Sequence, residues 1–263
     1  YELAGVGADG KGIAGATAAC HLQAHYRDEL WAVAAHPTDN DVAASAGDDG
    51  TCRMWNLATH TMTSSYAGGK DNMARAVDFN HDGSKIAVGQ GGRLGGTRGK
   101  KSKKGAVVLD AATMKEEKRL EHSKKWVQVV RFSPDGTKLA VGSHDNKTYL
   151  YKTADWKKKP RVCKKNSSFL CNIDWTAKSD GIQVTDGAHE LLFYDDKGKQ
   201  NLGGYFHDKL ATFTCELGWP VQGIWPPEAD GTDVNRCARS PDRTLLATGD
   251  DFGQLKIFNY PCV

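Results

Sequence analysis

One unit of sequence recurs five times in this chain, and that recurrence restricts it to architectures built by repetition. Its clearest copy runs from Phe132 to Tyr151. A strand end is followed by the turn Ser133-Pro134-Asp135-Gly136, the apolar strand Leu139-Ala140-Val141, a second turn at His144-Asp145-Asn146, and a strand ending in Tyr149-Leu150-Tyr151. The other copies begin near His36-Pro37, Asn80-His81-Asp82-Gly83, Thr176-Ala177 and Ser240-Pro241. Pro37, His81, Pro134, Ala177 and Pro241 hold equivalent turn positions, separated by 44, 53, 43 and 64 residues. A repeat of about 40–45 residues made of short strands is the period of a four-stranded propeller blade, if two copies carry insertions. Turn dipeptides punctuate apolar or alternating runs throughout, and no segment shows the 3.6-residue period of an amphipathic helix. The expected fold is therefore all-β, a β-propeller with about five blades.

The copies divide the chain into an entry segment, 1–24, able to supply an outer strand to a neighbouring blade, and blades at 25–65, 66–120, 121–164 and 165–207. An insertion and the last blade follow at 208–263. The second blade carries a basic, Gly-rich insertion at 91–104. The last blade reaches only its third strand, Leu255 to Phe258, which leaves an unpaired edge unless another segment covers it. Ile13 to Leu22 is the local candidate. Five blades are fewer than the roughly seven common in such rings, and Tyr1 stands in what reads as mid-domain sequence. The expectation is an incomplete part of a longer protein.

At 263 residues, with 39% hydrophobic and 25% charged residues, the chain has ample material for a globular core. A net charge of +3 is too mild for nucleic-acid recognition, which needs a concentrated basic face. Seven cysteines, an odd number without a Cys-x-x-Cys pair, point to a reducing intracellular compartment. No run approaches the about 18 apolar residues of a membrane span. Histidines and cysteines lack paired ligand spacing, so no metal and no cofactor is expected, and Cys52, Cys171 and Cys237 read as small core residues.

In the first blade, Ala24-His25 leads a unit containing Ser45, Asp49 and Trp55-Asn56, which resembles the Gly-His to Trp-Asp signature of WD-repeat proteins. There a buried His25 bridges the turn carboxylate of Asp49 and the hydroxyl of Ser45, while the Trp55 indole donates to that hydroxyl. This structural tetrad competes with a hydrolase triad of the same Ser, His and Asp; a triad needs an exposed nucleophile, which the interior of a blade does not offer. In later copies the Trp position becomes Leu109, Tyr151, Tyr194 and Phe258. The turn Asp persists as Asp145 but becomes Ala188 and Phe252, so those blades are expected to rely on apolar packing.

The stretch Ala211 to Asp233, with its Cys215-Glu216-Leu217-Gly218-Trp219 and Gly223-Ile224-Trp225-Pro226-Pro227 motifs, is followed by Thr248 to Gly253 and Phe258 to Cys262. Together with Glu29 to Pro37, Leu139 to Asp145 and Ile173-Asp174-Trp175, it closely resembles the C-terminal part of echinoderm microtubule-associated-protein-like proteins. The likeness extends from about residue 25 to the end. The resemblance implies most of the second of two tandem propellers, a rigid non-enzymatic platform whose partners are tubulin or microtubule-lattice proteins. It places the chain in the cytoplasm at the cytoskeleton, with a ciliary or flagellar axoneme as a particular setting. The 91–104 insertion departs from the family pattern, and the coiled coil and basic region that dominate microtubule binding in many members do not occur in this sequence.

Two basic runs are candidate contacts for an acidic partner. Arg93, Arg98, Lys100, Lys101, Lys103 and Lys104 crowd the insertion; Lys157, Lys158, Lys159, Arg161, Lys164 and Lys165 form the second. Either is equally read as a solvated segment. Lys164 and Lys165 are expected on the insertion's side of the ring and Lys157 to Lys159 on the opposite side. Gly96 to Ser102 has a scrambled phosphate-loop order and no following helix, which argues against nucleotide binding. Trp219 and Trp225, flanking Pro220 and Pro226-Pro227, form either a packed insertion or a peptide shelf. The competing function is a general WD-repeat adaptor that binds peptides in a signalling or ubiquitin-ligase assembly. No convergent acid, base and nucleophile set points to an enzyme.

Overall fold

The computed structural model describes residues 2–3, 18–19, 25, 29–69, 72–91 and 105–263. A short pairing joins β1 (Glu2–Leu3) to β2 (Ala18–Ala19); the other residues of 13–22, the expected closing segment, lie outside the described residues. The remaining strands form five antiparallel meanders. The first is β3 (Leu30–Ala35), β4 (Val42–Gly47), β5 (Thr51–Asn56) and β6 (Thr61–Ala67). The second is β7 (Ala74–Phe79), β8 (Lys85–Gln90), β9 (Gly105–Asp110) and β10 (Glu116–Leu120), and the third β11 (Val127–Phe132), β12 (Lys138–Ser143), β13 (Lys147–Lys152) and β14 (Arg161–Cys163). The fourth sheet has β15 (Leu170–Trp175), β16 (Gly181–Asp186) and β17 (Leu191–Asp195), and the fifth β18 (Val234–Arg239), β19 (Leu245–Asp250) and β20 (Leu255–Asn259). The first strand of each sheet lines a central channel and the later ones step outward, which makes a five-bladed β-propeller.

Packing between sheets explains why the middle strands read as continuous apolar runs. Each is covered on both faces, so Ile86, Ala87 and Val88 of β8 are all buried, whereas outer β6 alternates exposed and half-buried residues. Residues from adjacent sheets share one core: Ala44, Cys52 and Met54 meet Val77, Ile86 and Leu109, and Ala140 and Leu150 meet Ile173 and Val184. The pairing register makes the former Trp positions equivalent. Trp55, Leu109, Tyr151, Tyr194 and Phe258 each lie opposite the second residue of the preceding strand: Ala43, Ile86, Leu139, Ile182 and Leu246.

The repeated turns also interlock. In four copies the turn's fourth residue has a positive φ: Gly83 (75°), Gly136 (68°), Ser179 (58°) and Arg243 (63°). The first copy is one residue longer, with His36 N–H bonded to Val42 O. A Cβ on Gly83 would lie 1.9 Å from His36 Nε2, and one on Gly136 2.2 Å from His81 Nδ1, so each glycine admits the histidine of the preceding blade's turn. At the next seam Asp135 N–H donates to Ser179 Oγ at 3.2 Å.

Two features differ from the repeat pattern. Among the described residues the fourth sheet lacks a full outer strand: after β17, Gln200 bridges Tyr194, and the turn closed by Gly204 N–H to Asn201 O leads the chain away. Among the described residues the fifth sheet also has three strands, with Ile257 65% exposed. Between these sheets, residues 209–215 bond along the end of β15 through Ala177 N–H to Lys209 O and Ala211 N–H to Trp175 O, and meet β18 through Arg239 N–H to Phe213 O. A 3₁₀ turn, Trp219–Ile224, packs Val221 and Ile224 onto Val234, Cys237 and Leu246.

Candidate functional site at the channel mouth

The pairing between first and second strands is interrupted at the same place in all five sheets. Register skips Trp31, Arg75, Gln128, Cys171 and Asn235, the second residue of each inner strand. A bulge re-aims the side chain it carries, and here five bulges bring five different side chains to one channel mouth. The channel cavity measures about 590 Å³, and Arg75, Arg131, Arg236 and Arg239 line it with Asp78. Sequence reasoning missed this set. Each member stands six residues before the recurrent turn position, but nothing chemical unites the five residue types. Cys171, expected in the core, is instead half-buried at the channel, with burial pushing its thiol up to about 12.

Around the mouth runs a stack of aromatic and cationic groups. The Arg75 guanidinium lies 4.0 Å from the Trp31 ring and 4.2 Å from the Trp126 ring, and donates to Asp48 Oδ2 at 3.1 Å. Trp126 contacts His144 at 4.3 Å between centroids, and His144 stacks on Phe169 at 4.5 Å and 13°. The ladder thus crosses four sheets. Burial, followed by the positive charges of Arg75 and Lys125, holds His144 down to about 4, so it is neutral at physiological pH.

Of the residues singled out from sequence, His25, Ser45, Asp49 and Trp55 come together. His25 Nδ1 lies 3.0 Å from Asp49 Oδ1 and Nε2 2.8 Å from Ser45 Oγ, and Trp55 Nε1 donates to Ser45 Oγ at 2.7 Å. With the imidazole proton on Nδ1, Ser45 donates to Nε2 while accepting from the indole, so every polar atom is used. Burial alone would raise the Asp49 carboxyl, but bonds from Thr51 and His25 hold it below its ordinary value. Ser45 is buried and bonded from both sides, a geometry that clamps strands together and holds the hydroxyl inside the blade.

The expectation that later blades depend on apolar packing alone needs correction. In the third sheet Tyr149 Oη donates to Asp145 Oδ2 at 2.7 Å, and Asp145 also accepts Lys124 N–H at 2.7 Å. In the fourth, Tyr194 Oη donates to Asn166 Oδ1 at 3.0 Å, and Asn166 Nδ2 to Asp186 Oδ2 at 3.1 Å. Neighbouring positions rebuild the clamp with different groups, because a buried strand end still has polar atoms to satisfy.

The first basic run, Arg93, Arg98, Lys100, Lys101, Lys103 and Lys104, lies outside the described residues. In the second, Lys164 and Lys165 are exposed on the link from β14 to β15, while Lys157, Lys158 and Lys159 are exposed on the β13–β14 connection at the other end of the sheet. The two tryptophans separate as well: Trp225 donates its indole N–H to Glu216 O at 3.0 Å, whereas Trp219 is 54% exposed.

A ring of antiparallel sheets with this four-residue clamp defines a non-helical β-propeller of WD-repeat type. The sequence matches the echinoderm microtubule-associated protein second β-propeller over residues 30–263. It is 36% identical over 246 residues to the 77 kDa echinoderm microtubule-associated protein of Lytechinus variegatus, covering 91% of this chain and 35% of that protein. To its counterpart in Strongylocentrotus purpuratus it is 37% identical, with 91% and 34% covered. To echinoderm microtubule-associated protein-like 2 of Rattus norvegicus it is 36% identical over 249 residues, with 92% and 36% covered. The chain belongs to the echinoderm microtubule-associated protein family. It spans about a third of the length of these relatives.

Proposed function

We propose that this propeller is a non-enzymatic, microtubule-associated scaffold that presents its loops to tubulin or to proteins of the microtubule lattice, in the cytoplasm and in ciliary or flagellar axonemes. The observation that carries the reading is the match across residues 30–263 to a propeller of a family whose members are named for microtubule association. Its mechanism is binding by a stiff ring, with Arg93, Arg98, Lys100, Lys101, Lys103, Lys104, Lys164 and Lys165 as contacts for an acidic surface. Such lysine-rich contacts raise association rates and make binding salt-sensitive. Co-sedimentation with stabilised microtubules tests this directly. Binding should fall as salt rises, and should fall further when Lys100, Lys101, Lys103 and Lys104 are changed to Glu. Equal binding by wild type and variant at every salt concentration removes the basic loop from the account. Absence of tagged full-length protein from the axonemes of ciliated cells removes the axonemal setting.

A further inference from the structure

Among the described residues the fourth sheet has no full outer strand beside Leu191 and Leu192, and the rest of the molecule shows what fills that position elsewhere. Leu191, Leu192 and Phe193 of β17 correspond by register to Cys52–Met54, Ala106–Val108 and Thr148–Leu150 in the first three sheets. There all nine residues are buried and paired with an outer strand, β6, β10 or β14. In the fourth sheet all three are half-exposed. Phe193 O accepts Asn201 N–H at 2.8 Å, so alternate residues of β17 turn their backbone outward. The same alternation turns the N–H of Leu191 toward the place an outer strand occupies in the sister sheets.

The two sides of this position differ chemically. On the side of Leu191 and Phe193 lies a groove of about 340 Å³ lined by those residues with Tyr205, Phe206, Phe213 and Trp219. Phe206 is 73% exposed. The opposite side, where Leu192 packs into the core shared with the third sheet, carries four cationic side chains, with Glu190 and Asp195 also close to this edge. Arg161 pairs with Leu150 and so shares the β14 face turned toward the fourth sheet. Lys165 N–H donates to Tyr194 Oη at 3.2 Å, and Lys197 and Lys199 flank Gly198, where a Cβ would lie 3.2 Å from Val162 O. Arg161, Lys165, Lys197 and Lys199 enter no ion pair among the described residues.

We propose that the open edge of β17 takes an extended segment of a partner protein as its fourth strand, one in which bulky apolar and acidic residues alternate. Backbone bonds to Leu191, beyond the stretch of β17 that Lys199 and Asn201 already cover, hold the segment in register. Its apolar side chains drop into the Phe206–Trp219 groove, and its carboxylates face Arg161 and Lys165. This site lies apart from the basic insertion and shares only Lys165 with the contacts proposed above for an acidic surface, so Trp219→Ala tests it without touching those contacts.

The test uses the full chain and a fluorescein-labelled decapeptide of alternating Phe and Glu, read by anisotropy and by Trp219 emission. Three controls accompany it: the same composition in two blocks, alternating Phe and Lys, and the Phe/Glu peptide with alternate amides N-methylated. The alternating Phe/Glu peptide should bind about tenfold more tightly than each control. Trp219→Ala and Lys165→Glu, both surface changes that leave the melting temperature in place, should each weaken it about five- to tenfold. Equal affinity for the N-methylated peptide, or undiminished binding by both variants, overturns the proposal. So does a sedimentation experiment in which the chain dimerises, Trp219→Ala dissolves the dimer and the peptide fails to bind, because the edge then belongs to a second copy.

Discussion

Removing the Asp174 carboxylate should loosen the candidate groove and the channel together. It is fully buried in β15 and accepts from Thr212 Oγ1 at 2.6 Å, Thr214 N–H at 2.8 Å, Cys215 N–H at 3.0 Å and Gln183 Nε2 at 3.0 Å. Burial alone would raise its carboxyl; the bonds from Thr212 and the Thr214 backbone outweigh burial and hold it below the ordinary 3.8. In Asp174→Asn one oxygen still receives Thr212 and Thr214, but the new amide nitrogen faces Cys215 N–H and Gln183. Gln183 can turn its own amide over and present an oxygen; Cys215 N–H has no such remedy. One orphaned buried donor costs about 1–3 kcal/mol, and replacing charge-assisted bonds by neutral ones brings the expected loss to about 2–4 kcal/mol. Urea unfolding at pH about 7, followed by tryptophan fluorescence and by circular dichroism, measures it.

The pH dependence supplies a second check. A carboxyl whose folded value is depressed stabilises the fold fully above its unfolded value and loses that contribution as pH falls through the folded one. The wild type should therefore approach the Asn variant only below the ordinary 3.8, where the depressed Asp174 becomes protonated. A difference under about 0.5 kcal/mol at neutral pH, within the range of ordinary surface substitutions, would refute the reasoning. A difference that persists unchanged in acid would refute it equally.

Gly83→Ala should destabilise by about 1–3 kcal/mol, from the positive φ and from the clash with His36; adding His36→Ala should recover only the steric part in thermal melts. Trp55→Phe removes the 2.7 Å bond to Ser45 and should cost about 1 kcal/mol in urea titrations. His144, held at about 4 against an ordinary 6.5, favours folding above 6.5 and loses that advantage as pH falls from 6.5 toward 4. His144→Phe should flatten this acid limb, and imidazole NMR should show no titration above pH about 5. Arg75→Lys keeps the charge but loses the planar stack between Trp31 and Trp126, so it should alter near-ultraviolet circular dichroism with little change in the far ultraviolet.

Much of the ring was legible because its signals are local. A turn such as Ser133 to Gly136 needs a residue tolerant of positive φ at its end, and an apolar run such as Leu139 to Val141 needs cover on both faces, so both leave marks in neighbouring residues. The His25, Ser45, Asp49 and Trp55 clamp was legible for a similar reason, since its members keep a fixed spacing within one meander. The substitutes were not. Asn166 and Asp186 take over in the fourth sheet, and only the folded register shows that they serve the same strand end.

Sequence alone determined the repeat, its β character, the equivalent turn and Trp positions, and the family, because each rests on residue types at short, fixed intervals. Tertiary structure alone decided that five bulged residues meet at the channel mouth and that Arg75 lies between two tryptophans from other sheets. It also decided that the fourth sheet, among the described residues, has three strands beside a groove. Those outcomes depend on which face each strand turns and which sheet lies next to it. Such choices are fixed by pairing and packing across tens of residues, where linear order carries no distance.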